Sequence, residues 1–144
     1  MSERLLLLIL RLNAVMLVLA FPAVIMPYEW MNAIHQWLGL GVLPDIPIMG
    51  YLTRSISLLY GMFGILTFVI AADPKRYWHL IGWWGLASLG SGFVLGVVDV
   101  VHRMPTYWTL SEASYLVCLG IVVLILWYRA RGTTNASMKE TAHL

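Results

Sequence analysis

Arg54, Asp99, Glu112, His35 and His102 are the side chains of this chain whose types and positions could act together. Arg54 and Asp99 lie near the ends of long apolar runs, where an ionisable group needs a partner. An arginine and an aspartate at matching depth predict an ion pair. Such a pair either locks the register of two helices or forms the polar part of a quinone, lipid or ion site, with Glu112, His102 and Arg103 close enough along the chain to join. His35, His102 and Glu112 also raise the question of a metal, but no two histidines share one helix at ligand spacing and none lies mid-run where a haem would need it. No metal, haem or other cofactor is expected. Walker A, GxSxG, HExxH and paired-cysteine motifs are all absent from the sequence, so no catalytic residue is assigned. Cys118 is the only cysteine, which excludes an internal disulfide and a CxxC pair; its mid-run position reads as a small packing residue.

The elements that position these residues follow from the solvent. Hydrophobic residues make up 60% of the 144 and charged residues 11%, far from the soluble average of roughly a quarter charged. A small globule cannot hide that excess, whereas a bilayer accepts helices that are apolar all round. The net charge of +2 is too small and too scattered for phosphate contacts, and a nucleic-acid partner is excluded. Membrane lipid is the expected surrounding.

Four runs have spanning length: 5–26, 49–72, 77–101 and 107–127, the first reaching about 33 Å as a helix against a hydrocarbon core of about 30 Å. Arg11 interrupts the first run but stands near its end, where an arginine head reaches the interface; it also splits the apolar core that a cleaved signal peptide would need. Asp73-Pro74 and Met104-Pro105 mark tight hairpins. Aromatic residues gather at two levels, Tyr77, Trp78, Trp127 and Tyr128 at one and Tyr51, Tyr107 and Trp108 at the other. Between the first two runs, Trp30, Ile34, Trp37 and Leu38 recur at helical spacing with polar residues on other faces, which predicts a short amphipathic helix over 28–39 lying flat in the outer interface and ended by Gly39 and Gly41. The expected fold is therefore all-α: an integral membrane four-helix bundle over residues 1–131, with a disordered tail over 132–144.

Sidedness comes from the basic residues. Arg4, Arg11, Lys75, Arg76, Arg129, Arg131 and Lys139 fall on one side, Arg54 and Arg103 on the other. Both termini are thus expected in the cytoplasm. The third run carries Gly85, Ser88, Gly92 and Gly96 along one face, and the next step reaches Asp99; the second carries Arg54, Ser57, Gly61 and Gly64 in the opposite direction. Small faces let helices approach closely in lipid. Since the hairpin at Asp73-Pro74 makes these two runs neighbours, the two stripes are expected to meet and to aim Arg54 at Asp99. A fainter pattern is Tyr-x-Thr-x-Ser at Tyr51 and again at Tyr107, with Gly64-Ile65 and Gly120-Ile121 at the same offset, as a duplication of helical hairpins would give.

The stretch Tyr51-Leu52-Thr53-Arg54-Ser55-Ile56-Ser57-Leu58-Leu59-Tyr60, with Asp73-Pro74-Lys75-Arg76-Tyr77 after it, resembles a group of small bacterial four-helix membrane proteins without assigned function. The overall plan also resembles DoxX-like proteins, some of which are membrane subunits linked to quinone or sulfur redox chemistry. That resemblance implies the cytoplasmic (inner) membrane of a bacterium, and no functional residue is carried over from it. Three functions are in view. The first is a non-catalytic subunit or accessory protein, packing as a homo-oligomer or in a larger membrane complex. The second is a quinone or lipid pocket in the outer leaflet around Arg54, Asp99 and Glu112. A small transporter comes last, because no ionisable residue lies near the bilayer midplane.

Overall fold

The computed structural model describes the backbone of residues 2–141 and the side chains of residues 2–130. Among the described residues every regular element is a helix: α1 (Ser2–Val18), α2 (Pro22–Ile25), α3 (Tyr28–Trp37), α4 (Pro47–Ala72), α5 (Trp78–Val101) and α6 (Thr106–Thr141). Four segments, Ser2–Ile25, Pro47–Ala72, Trp78–Val101 and Thr106–Ala130, are long and apolar enough to cross a membrane. Helices suit that solvent because each satisfies its backbone groups internally.

Two boundaries depart from the sequence expectation. The first run is one segment in length but two helices in fact, since Pro22 has no N–H to offer the carbonyl of Val18. That carbonyl instead accepts the N–H of Phe21 at 3.0 Å, and Leu17 O accepts Ala20 N–H at 3.1 Å, tightening the chain before Pro22 opens α2. At the other end α6 continues past Trp127 to Thr141. The stretch from 132 to 141, expected to be irregular, is helical backbone, and residues 142–144 lie outside the described residues.

The chain divides into two compact units. One comprises Met1–Leu10 with Ile70–Leu144. Its core joins Leu6, Leu10, Ile70, Ala71, Ile81, Leu119, Val123 and Leu126, with Tyr77, Trp78, Trp84 and Trp127 packed around them. The other comprises Arg11–Val69, in which Ala14, Val18 and Phe21 meet the glycine face of α4.

Within each unit a glycine stripe meets its own partner, which corrects the expectation that the stripes of α4 and α5 face each other. A Cβ placed on Gly64 would lie 2.7 Å from Val18 Cγ2, 2.8 Å from Val18 N and 2.9 Å from Ala14 O. On Gly92 it would lie at the same three distances from Val117 Cγ2, Val117 N and Ala113 O. The stripe of α4 therefore packs on α1, and that of α5 on α6.

Candidate functional site

Arg54 stands on the first half of α4, where its reach covers the preceding turn. Its Nη1 donates to Gly50 O at 3.1 Å and its Nη2 to Met26 O at 3.0 Å. Met26 follows α2 in extended conformation and leads into Pro27, so its carbonyl has no helical partner of its own. A guanidinium at that point satisfies the orphan acceptor and complements the negative end of the segment. Arg54 is thus a C-terminal cap.

The polar face of α3 has a comparable local task. Tyr28, Asn32 and His35 are spaced four and three residues apart, on one side of the helix. Tyr28 Oη donates to Leu43 O, Asn32 Oδ1 accepts Leu43 N–H at 2.9 Å, and His35 Nδ1 lies 2.9 Å from Gly41 O. The loop they hold turns back through Gly39 at φ 72°, where Leu40 N–H reaches His35 O at 3.1 Å and Gly39 N–H reaches Gln36 O at 2.9 Å. That pattern is a Schellman close. His35 therefore clasps its own loop. The opposite face leaves Trp30, Ile34 and Trp37 exposed, Trp37 to 83%, in keeping with a helix that lies in an interface.

Asp99 is the candidate that remains open. It is 5% exposed, and its Oδ2 has no hydrogen-bond partner. It stands in the last turn of α5, where the helix dipole disfavours an anion and burial without a partner is costly. Arg54 and Asp99 belong to different compact units, Arg54 to Arg11–Val69 and Asp99 to the unit that holds Ile70–Leu144. Around Asp99 the other candidates are engaged close to home. His102 Nδ1 lies 3.0 Å from Val98 O, one turn back, and Glu112 Oε2 accepts Trp108 Nε1–H at 2.7 Å, also one turn back. Arg103 adopts φ 55°, and Met104 N–H donates to Asp99 O at 2.9 Å, closing α5. Among the described residues no group of three or more His, Cys, Asp and Glu could hold a metal ion.

Six of the seven packing residues read from the sequence are buried: Ser57, Gly61, Gly64, Gly85, Ser88 and Gly92; Gly96 is half-buried against Ala113. Ser88 Oγ donates to Trp84 O at 2.9 Å, the back-bond that lets a hydroxyl lie in an apolar seam. Thr67, Gly82 and Gly120 belong with them as packing positions that the two stripes do not include. Thr67 extends the α4 stripe by one more step of three and donates to Phe63 O at 2.7 Å. A Cβ on Gly120 would lie 2.6 Å from Leu89 N and 2.7 Å from Gly85 O, a close approach of α6 to the α5 backbone. Its spacing from Ala113 and Val117 was the available signal. Cys118, expected to pack, is exposed on a groove of about 550 Å³ between α5 and α6, beside Ser114, Phe93 and Val97.

No protein-family model, curated protein or solved structure matches this chain.

Proposed function

We propose that the protein is a non-catalytic multi-pass subunit of a membrane assembly, built as a four-helix bundle in the bacterial cytoplasmic membrane with both termini inside. The observation that carries this reading is an outward notch on α5. Gly90 has nothing within 4 Å of the Cβ position, while Trp83, Leu86, Phe93, Val94 and Val97 around it are exposed. A mid-helix glycine costs roughly 1 kcal/mol relative to alanine. In a membrane that cost is offset where a neighbouring helix comes in close, as it does at Gly64, Gly92 and Gly120.

The test is cross-linking in native membranes of Gly90→Cys on a Cys118→Ala background. Capture of a second copy or of one defined membrane protein is expected. A species that stays uncross-linked and runs as a lone monomer in mild detergent sinks the reading.

Asp99 favours a second reading, a quinone- or lipid-binding site in the outer leaflet, because a buried carboxyl without a donor is the kind of group a ligand hydroxyl or amine would satisfy. Arg54 and Glu112 are engaged elsewhere and are left out of it. Organic extraction of the purified protein should then yield a compound that Asp99→Ala loses; identical extracts from both would end this alternative.

A further inference from the structure

We infer that the groove between α5 and α6 beside Trp127 is a binding site for one anionic phospholipid of the surrounding bilayer. The groove has a volume of about 310 Å³ and is lined by His79, Gly82, Trp83, Leu86, Leu124 and Trp127. Its walls are built, not incidental. Gly82 lacks a side chain where the Trp127 indole passes, since a Cβ there would lie 3.0 Å from two ring atoms. Trp127 Nε1 donates to Trp78 O at 2.9 Å, and the two indoles stack at 6.0 Å between centroids. The ring is therefore fixed in orientation. Leu86 and Leu124 complete an apolar bed suited to an acyl chain.

The polar end decides the occupant. The groove runs to His79, in the first turn of α5, and the turn just before it carries Lys75 and Arg76, both exposed. Arg76 lies 5.6 Å over the Tyr77 ring, which holds its guanidinium against the turn that leads into α5. Asp73 is the carboxylate of this turn, and its Oδ1 already accepts Arg76 N–H at 3.2 Å. An apolar trough that ends among cations fits a molecule with an apolar tail and an anionic head. The bilayer supplies that molecule, and basic residues at a membrane surface draw anionic lipid by roughly fivefold per charge. The larger groove beside Cys118 has no charged residue in its lining, so nothing there selects an occupant.

The experiment uses the full chain with Trp30→Phe and Trp37→Phe, reconstituted in dioleoylphosphatidylcholine bilayers with a rising fraction of dioleoylphosphatidylglycerol. Quenching of tryptophan fluorescence by the dibrominated form of each lipid gives their relative binding. A preference of roughly fivefold or more for phosphatidylglycerol is expected, falling to near parity in Lys75→Gln/Arg76→Gln and reduced in Leu86→Phe, which fills the trough. Raising the salt on the parent chain should shrink the same preference without any mutation, a readout that does not depend on a variant folding. Equal quenching by the two lipids overturns the site. So does a preference that survives charge removal, trough filling and salt alike.

Discussion

Arg103 holds a left-handed conformation, φ 55°, at the position that closes α5, where glycine is the usual occupant. A side chain there costs about 1 kcal/mol. Arg103→Gly should therefore raise the unfolding midpoint in detergent, and a lowered midpoint would show that the side chain has a contact worth more than the strain. Arg54 works the other way. Removing it strands Met26 O, so Arg54→Ala should destabilise by about 1.5–3 kcal/mol, measured by thermal or denaturant unfolding in the same micelle. Cys118 supplies a third check at this scale: lipid suppresses its thiolate, so it should resist a charged maleimide in intact vesicles and react once the protein is unfolded in detergent. The sequence showed that Arg54 was too costly in that position to be idle, but not what it held, because the extended turn that frees Met26 O lies 28 residues away along the chain. For His35 the loss of legibility has the same cause. Its partner is a carbonyl presented by a loop turned at Gly39 and Gly41, and backbone acceptors leave no mark in the residue type.

At the scale of elements, the small-residue stripes were readable because helical period and side-chain volume are both properties of the sequence. Their partners were not, since a stripe specifies close approach without naming the helix that makes it. Contact at Gly92 is with backbone atoms of α6, so Gly92→Ala must move a helix and should cost about 1–3 kcal/mol. Gly90→Ala, with open space before it, should instead be neutral or stabilising by up to about 1 kcal/mol. Comparing the two unfolding midpoints separates the seam from the outward notch; equal losses would mean that Gly90 is already covered. The amphipathic helix was legible for the opposite reason. Its apolar and polar faces alternate within a few residues, and α3 at Tyr28–Trp37 lies inside the expected 28–39.

For the whole molecule, the four apolar segments were plain from composition and length, because hydrocarbon imposes one structural solution on any segment it surrounds. Their assembly into two units was hidden, as it depends on which stripes meet. One core draws on both ends of the described chain: Leu6 and Leu10 pack with Ile81, Leu119, Val123 and Leu126. Seen in time, burial of this core lags behind its synthesis. The apolar face of residues 6–10 is made before the rest of that core, and its cover is complete only when the residues around Val123 have left the ribosome and entered the membrane. Until then it needs temporary cover from lipid or from the insertion machinery, and a chain stalled after α5 exposes it for as long as the stall lasts.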